Sequence, residues 1–394
     1  MKMFTLKGLV LTMLFMAQGI LNIHAIDVDS ESNYVVVNVV KPGTLSDISN
    51  EKGLYNVKNL KLIGSLNGED FHWIYEQAKY AGLNVDLSEV TVVGDGSTYS
   101  TTNGNNGIRE VEFKDNVIPS YAFYGCWHLK SIILPSSIIS IESNAFCECG
   151  TDLVSVTIPQ SVVSIGCNAF YRCSNLSSIT IPSGVTSIGS GAFDGCKNLS
   201  SISIPGGVTS VNEAVFSGCS NLSSITIPSG VTSIGSLAFY GCKNLSSIAI
   251  PSGVISIGDR AFLECSNLSS IDIPYSVTSI GYGAFSDCTK LQSVYVFSEI
   301  PPSLGDYAFP KSLKTKGCLY VPNGTFRAYW RSEWGDKFYD IVEFDATVIN
   351  RVTTAPDVKE ISRYSVNGQR LDAPTKGLNL VKYSDGSVKK VMVQ

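Results

Sequence analysis

The sequence predicts a repeat solenoid with a parallel β-sheet on one face, a cap at each end and a small C-terminal β module. The first observation is a unit of 23 or 24 residues in which Phe, preceded by Ala or once by Val, is followed three residues later by Cys. A fixed period of about 20–29 residues is typical of solenoids. The second observation is a short apolar strand pattern after each Cys, usually closed by Pro. The repeated positions are Phe123, Phe146, Phe170, Phe193, Phe216, Phe239, Phe262 and Phe285, with Cys126, Cys149, Cys173, Cys196, Cys219, Cys242, Cys265 and Cys288.

One unit, Leu176–Cys196, shows how the repeat is expected to fold. Its first apolar residues alternate with Ser and Thr, as in a strand with one buried face. Proline ends this strand because it has no N–H to donate to a sheet. Val185 and Ile188 are expected to line the opposite wall, and residues 189–195 to form one short helical turn that presents Phe193 to the core.

The N-terminus is typical of an export signal at residues 1–25. Lys2 and Lys7 precede an apolar run, Gly8–Leu21, and small residues precede a cleavage point after Ala25. The run is shorter than the roughly 20 residues that a transmembrane helix needs. We therefore expect a cleaved signal peptide, with an uncleaved anchor as the alternative and no transmembrane helix in the mature chain.

Residues 26–116 are expected to form an N-terminal cap with irregular repeats. Leu60–Ile63 and Leu83–Leu87 have strand patterns. Between them, Asp70–Tyr80 is expected to be a helix, with capping residues from Asn67 onward. Gly94–Gly107 is rich in Gly, Ser, Thr and Asn and is expected to be a loop.

The regular array is expected to span 117–309, followed by a C-terminal cap at 310–345. In the cap we expect a strand at Cys318–Val321, a short helix at Thr325–Trp330 and aromatic residues that cover the last coil. Residues 346–360 are expected to be a linker. Residues 361–394 are expected to form a β module with turns at Asn367-Gly368 and Asp385-Gly386.

The unit L-x-S-I-x-I-P-x-x-V-x-S-I-G-x-x-A-F-x-x-C resembles the BspA-like (Treponema-type) leucine-rich repeats. The resemblance covers 117–309 and implies a right-handed leucine-rich repeat array. It also implies a surface or secreted bacterial protein of the adhesin type, which binds host matrix proteins or other cells. The C-terminal run is similar to sorting modules of the same bacteria, and a small terminal β extension without a sorting role is the alternative.

Composition and charge narrow the classes of partner. The formal net charge is −5 and charged residues make up 16% of the chain. The sequence has no basic patch of the kind that binds nucleic acid. No phosphate loop, nucleophile elbow or metalloprotease helix is present, and the acidic pair Glu69-Asp70 fits a helix start better than a glycosidase site. We expect no enzymatic activity and no cofactor.

The cysteines are expected to be structural. The eight repeated cysteines should stack as buried free thiols, because parallel side chains one strand apart keep their Cβ atoms farther apart than a disulfide prefers. Cys147 and Cys167 break this register, and a disulfide between them is an open alternative. Zinc needs about four converging ligands. The only nearby Cys/His pair, Cys126 and His128, belongs to a stack that diverges.

The sheet surface is expected to be a Ser/Thr face with few of the Trp, Tyr and Arg residues that favour binding hot spots. Candidate binding residues therefore lie where the repeat is broken, and these are Trp127, His128, Ile133, Arg260, Asp272, Tyr275, Tyr282 and Tyr295. The leading hypothesis is a secreted or cell-surface scaffold that binds host or cell-surface proteins. The alternatives are a glycan-binding protein in nutrient capture and a structural surface component without a dedicated ligand.

Overall fold

The computed structural model describes residues 26–29, 33–55, 57–96, 98–103, 107–150, 152–345, 360–365, 370–371, 377–383 and 388–393. The expected signal peptide and nearly all of the expected linker lie outside these residues. None of the helices in the described ranges is both long enough and apolar enough to cross a membrane.

The first wall of the molecule contains the strands that follow the repeated Cys residues, extended by strands of the two caps. It is divided into sheets of seven, two and four strands, and residues 246–250, after Cys242, form no strand. Apart from the antiparallel pair at its N-terminal end, formed by the first two strands, its neighbouring strands pair in parallel, and the predicted solenoid with a parallel sheet on one face is confirmed. The strands are β1 (Ile26–Asp29), β2 (Tyr34–Val39), β3 (Asn59–Leu66), β4 (Leu83–Val92), β8 (Leu129–Ile133), β10 (Ser155–Thr157), β12 (Ser178–Ile179), β14 (Ser201–Ser203), β16 (Ser224–Thr226), β19 (Ser270–Ile273), β21 (Ser293–Val296), β23 (Cys318–Pro322) and β24 (Asp340–Phe344).

The second wall is a ladder of two-residue strands, most with the sequence Ser-Ile. It consists of a four-stranded and a five-stranded parallel sheet, whose register places Ser beside Ser and Ile beside Ile in most coils, so an aliphatic side chain faces the core at the same position. The strands are β7 (Val117–Ile118), β9 (Ser140–Ile141), β11 (Ser164–Ile165), β13 (Ser187–Ile188), β15 (Ser210–Val211), β17 (Ser233–Ile234), β18 (Ser256–Ile257), β20 (Ser279–Ile280) and β22 (Ser303–Leu304).

The third wall contains the Phe of each coil, and here the expected helical turn is wrong. Residues 190–195 are turns, not helix. Gly191 and Gly195 have left-handed φ values of 64° and 76°, which a right-handed helix cannot contain. The Phe193 N–H donates to the carbonyl of Val215 in the next coil at 2.9 Å. We call this the turn wall, since its hydrogen bonds run between coils as in a sheet although its backbone is a series of turns.

A continuous stack of phenylalanine rings fills the core beneath the turn wall. Adjacent rings from Phe123 to Phe285 have centroids 5.0 to 5.7 Å apart and planes within 15° of parallel. The stack continues to Phe309 at 5.3 Å. All of these rings except that of Phe309 are fully or almost fully buried, so each Phe holds its coil against both neighbours.

The N-terminal cap closes one end of this stack. Its helices are α1 (Leu45–Lys52) and α2 (Gly68–Tyr80), and the helix predicted at Asp70–Tyr80 lies within α2. Asn67 caps α2, as its side chain accepts from the backbone of Glu69 and Asp70. From α2, Phe71 contacts Phe123 with centroids 6.1 Å apart and joins the aromatic stack to the cap.

The buried carboxylate of Asp70 ties the two cap helices together. It accepts backbone N–H groups of Gly43 at 2.7 Å, Leu45 at 2.8 Å and Asn67 at 3.1 Å. Burial raises its pKa despite these three donors. The oxygens of Asp70 therefore accept hydrogen bonds at helix N-termini. This agrees with the interpretation of the acidic pair Glu69-Asp70 as a helix start.

The loop expected at Gly94–Gly107 is partly wrong. Strand β5 (Thr98–Asn103) lies inside it and pairs antiparallel with β6 (Gly107–Glu112). Tyr99 on β5 is buried, and its ring centroid lies 5.8 Å from that of Phe113. The hairpin thus adds a buried aromatic side chain to the cap. The polar composition of this segment did not indicate a strand.

The C-terminal cap closes the other end with buried aromatic side chains. Its helices are α3 (Leu313–Lys316) and α4 (Phe326–Arg331). Trp334 lies against Phe309 with centroids 5.2 Å apart, and its indole N–H donates to the Pro302 carbonyl at 2.8 Å. Tyr329 and Trp334 are fully buried, whereas Trp330 is 60% exposed and is not part of the capping core.

The C-terminal module is a separate four-stranded antiparallel sheet in the order β26-β25-β27-β28. Its strands are β25 (Glu360–Ser365), β26 (Arg370–Leu371), β27 (Gly377–Tyr383) and β28 (Val388–Val393). Strand β25 pairs with both β26 and β27, and β27 also pairs with β28. A small β module was expected in this part of the sequence, and the turns expected at Asn367-Gly368 and Asp385-Gly386 lie outside the described residues.

A glycine follows most of the Ser-Ile strands, and its close contact with the preceding coil leads to a first prediction. A Cβ on Gly258 would lie 2.5 Å from the Ser236 backbone nitrogen of the preceding coil. Gly258→Ala should therefore lower the free energy of unfolding by about 1–3 kcal/mol, the usual cost of overpacking. Thermal and urea unfolding followed by circular dichroism would measure the change.

The matched control is Gly206→Ala, because a Cβ at Gly206 meets no atom within 4 Å. This variant should unfold like the wild type or slightly later. Equal stability of the two variants would contradict the close approach between coils.

Candidate functional site

The eight repeated cysteines form a buried column of free thiols. From the second coil onward, each thiol donates to the carbonyl of the Phe in the preceding coil. The Sγ–O distances run from 2.9 Å for Cys149 and Phe123 to 3.3 Å for Cys196 and Phe170. The thiol of Cys126 faces the carbonyl of Tyr75 in α2 at 3.8 Å. The column therefore has a hydrogen-bonding role in addition to packing.

Burial favours the protonated form of most thiols in the column. Desolvation raises the pKa of Cys288 to about 12 from the ordinary 9.0, and it raises those of Cys173, Cys196 and Cys242 well above 9.0. A neutral S–H can donate to a carbonyl, whereas a thiolate cannot. Within the described ranges, no group of three or more His, Cys, Asp or Glu side chains is placed to hold a metal ion.

Cys147 and Cys167 are both free, so the alternative of a disulfide between them is not realised. Cys147 is buried, and desolvation raises the pKa of its thiol to about 12. Cys167 is exposed. The two differ in accessibility although both break the register of the column.

An aromatic group lies on the outer face of the sheet at its C-terminal end. Strand register places Tyr295 beside Asp272 on one side and beside Tyr320 on the other. The Tyr295 and Tyr320 rings stack with centroids 4.2 Å apart and planes 6° from parallel. Phe344 lies edge-on to Tyr295 at 6.2 Å and to Phe297 at 5.4 Å. We call Tyr295, Phe297, Tyr320 and Phe344 the aromatic sheet patch.

The aromatic sheet patch contrasts with the rest of the same face. Upstream, the outward positions in register are mainly Ser and Thr, as in Ser155 beside Ser178 or Thr226 beside Ser203. Interaction with Cys318, followed by burial, raises the pKa of Tyr320 to about 12. The phenol is therefore a neutral hydrogen-bonding group at physiological pH.

A second aromatic group lies on the turn wall. The Arg260 guanidinium carbon is 5.2 Å from the Tyr282 ring centroid, and the Tyr282 and Tyr307 rings meet at 5.7 Å and 75°. They line a shallow depression of about 270 Å³, together with Leu263, Gly283 and Ser286. We call it the turn-wall depression.

The structure separates the other candidate residues from these two groups. Tyr275 is 67% exposed in the turn after β19. At the N-terminal end, Trp127 is exposed and the His128 Nδ1 is 3.2 Å from a carboxylate oxygen of Asp152. Ile133 on β8 is half-buried beside Thr157. Arg260 and Tyr282 come together on one wall, and Asp272 and Tyr295 on another.

The binding residues predicted from the sequence did not include Tyr307, Tyr320 or Phe344. Tyr307 could have been found, because it stands two residues before Phe309 as Arg260 stands two before Phe262. Tyr320 and Phe344 lie beyond the regular array, so their alignment with Tyr295 depends on strand register that the repeat does not specify.

The family can be assigned from a family model described as BspA-type leucine-rich repeat region, in six copies, that matches residues 101–222 and 186–316. Together the matches span more than half of the chain. The chain belongs to the BspA-type leucine-rich repeat family. Solenoids of this family are typically non-enzymatic binding scaffolds, and BspA-type proteins are typically found at cell surfaces or secreted.

Solved structures of other bacterial leucine-rich repeat proteins are similar to this BspA-type chain. One from Bacteroides ovatus is 25% identical, with 63% of this chain and 76% of that one covered and a TM-score of 0.46. A cell surface protein from Faecalibacterium prausnitzii is 24% identical, with 64% and 94% covered and a TM-score of 0.40. The leucine-rich repeat protein of T. pallidum is 22% identical, with 62% and 87% covered and a TM-score of 0.33. No curated protein matches the chain.

The burial of the thiols in this BspA-type array predicts selective alkylation. Under native conditions at pH 8, iodoacetamide should modify the exposed Cys167 and leave the buried column unmodified, because alkylation requires an accessible thiolate. Peptide mapping by mass spectrometry, before and after denaturation, would locate the modified residues. Native labelling of Cys219 or Cys242 as fast as Cys167 would contradict the buried column.

The raised thiol pKa values predict loss of stability at alkaline pH. Above pH 9, unfolded thiols lose protons that the folded column retains, so folding is disfavoured as pH rises from 9 towards 12. Each such thiol can contribute up to about 1.4 kcal/mol per pH unit. Urea unfolding between pH 7 and 11 would measure the slope. Cys288→Ala should reduce this slope by up to about 1.4 kcal/mol per pH unit, the contribution of one thiol. An unchanged slope would contradict this origin.

Proposed function

We propose that this chain is an exported, non-enzymatic binding scaffold of the adhesin type, and that its aromatic sheet patch engages a protein on a host surface or another cell. The proposal rests on family membership for the class of function and on the sheet surface for the site. A rigid solenoid supports binding because its residues are fixed by neighbouring coils.

One observation supports the site above all others. The outer face of the sheet is a Ser/Thr surface for most of its length. At its C-terminal end, however, the Tyr295 and Tyr320 rings stack with centroids 4.2 Å apart, and Phe344 lies edge-on to Tyr295. None of these three rings is needed to fill the core, since the inward positions of β21 and β23 are Val294, Val296, Leu319 and Val321. Tyrosines that do not serve the core are typical of protein-binding hot spots.

Polar groups border this patch. Asp272 lies beside Tyr295 in the sheet, and Asp340 lies beside Cys318 at the start of the last strand. A polar rim around an aromatic centre is the usual anatomy of a protein interface. The two carboxylates favour a partner that presents basic or hydrogen-bond-donating groups.

Export is proposed from the N-terminal residues. The basic start, the apolar run Gly8–Leu21 and the small residues before Ala25 fit a signal peptide. We place the mature protein outside the cell or on its surface, in line with the typical location of the family. Residues 361–394 are proposed as a module related to sorting.

A glycan ligand is the second candidate, and the turn-wall depression favours it. Tyr282 is 41% exposed and Tyr307 is 61% exposed, so their ring faces are open to a sugar. The two candidates use different walls and can be tested separately.

Removing the two stacked tyrosines should weaken protein binding. The probes would be immobilised fibronectin, fibrinogen, laminin and collagen, with binding measured by surface plasmon resonance. For any probe that binds the wild type, Tyr295→Ser/Tyr320→Ser should lose about 2 kcal/mol of binding free energy, the size expected at a hot spot.

Tyr80→Ser is the matched control, because Tyr80 is a 71% exposed tyrosine at the end of α2 in the opposite cap. It should bind like the wild type. A double variant that binds as well as the wild type would overturn the assignment of the patch, and binding to none of the four matrix proteins would argue against this class of partner.

A further inference from the structure

We propose that the turn-wall depression binds a single sugar residue that carries a carboxylate, as in a uronic acid. The inference combines the corner made by Tyr282 and Tyr307, the stacked guanidinium of Arg260 and the small volume. At about 270 Å³ the depression is slightly smaller than the roughly 300 Å³ at which small-molecule sites usually begin, a size that suits a single sugar residue.

The two tyrosines provide the sugar-binding surface. Their rings meet at 75° with centroids 5.7 Å apart, so one ring can stack under a sugar while the other closes its edge. A pyranose has a C–H face that packs on an aromatic ring and hydroxyl groups that pair with a phenol. Because both side chains are exposed, core packing does not explain them.

Arg260 provides selectivity for a carboxylate. Its planar guanidinium can pair with a carboxylate through two parallel N–H bonds, and such charge-assisted pairs are stronger than neutral hydrogen bonds. Arg172, which stacks on Tyr171 at 5.0 Å, is also 3.8 Å from the carboxylate of Glu148. In contrast, no ion pair to a carboxylate within the described ranges involves Arg260.

The backbone fixes the geometry of the depression. The Arg260 N–H donates to the Tyr282 carbonyl at 2.7 Å, and the Tyr282 N–H donates to the Asp259 carboxylate at 2.7 Å. The nearest acidic side chain in the sequence is therefore hydrogen-bonded to the backbone. The site is held by contacts between coils before any ligand arrives, which lowers the entropic cost of binding.

The repeat itself supplies variants that should fold. Arg260 and Tyr307 occupy the position two residues before Phe, with left-handed φ values of 54° and 57°. In other coils the same position is Leu237, with φ of 58°, or Gly283, with φ of 59°. Arg260→Leu and Tyr307→Gly therefore copy residues that this backbone already accommodates.

The test uses two ligands that differ at one carbon. Methyl β-D-glucuronide carries a carboxylate where methyl β-D-glucoside carries a hydroxymethyl group. Saturation-transfer NMR titrations should show that the wild type binds the glucuronide at least about tenfold more tightly, as expected for a charge-assisted pair. Arg260→Leu should remove this preference, and Tyr307→Gly should lower the affinity for both ligands.

Arg172→Leu is the matched control, since Arg172 also stacks on a tyrosine but does not line the turn-wall depression. It should bind both glycosides like the wild type. Circular dichroism melting would confirm that each variant is folded.

Equal affinity of the wild type for the two glycosides, binding of neither, or an unchanged preference in Arg260→Leu would each overturn the inference. The site is independent of the aromatic sheet patch, so Tyr295→Ser/Tyr320→Ser should keep the preference for the glucuronide. Failure of one proposal is thereby distinguished from failure of the other.

Discussion

The contact between the Phe of one coil and the Cys of the next is the constraint on which the solenoid depends. In the coil of Phe193, the N–H donates to Val215 and the carbonyl accepts both the Cys196 N–H at 3.1 Å and the Cys219 thiol at 3.2 Å. The ring stacks on Phe216 at 5.7 Å. Every polar group of this buried residue is satisfied by its own coil or the next, so stability grows with each coil added.

This constraint also explains why side chains that depart from the repeat lie at outward positions. A coil that must place Phe, Cys and the inward aliphatic residues in register has little freedom except at its outward positions. Most coils fill these with Ser and Thr, which suit a soluble β surface. At the C-terminal end, close to the cap that covers the last Phe ring, the outward positions carry Tyr295, Tyr320 and Tyr307, so the surface differs from one wall to the next.

How well each element was predicted from the sequence depended on the kind of pattern that its residues form. The period and the alternation of Leu and Ile predicted the sheet, and Asn67 with the apolar face beyond it predicted α2. The turn wall was misinterpreted because residues such as Gly191 and Gly195 adopt left-handed conformations that a helix excludes. The strand β5 was not predicted within residues 94–107, because its buried side chain, Tyr99, packs against His72 and Tyr75, which are distant in the sequence.

The sequence by itself determined the solenoid, the buried cysteine column and the places where the repeat is broken, because each of these is a periodic property of a linear chain. Only the tertiary structure decided which irregular residues meet. Arg260, Tyr282 and Tyr307 belong to three different coils, and Tyr295 and Tyr320 to the array and its cap. Their proximity depends on hydrogen-bond register between coils, a property of stacked backbones that no single repeat encodes.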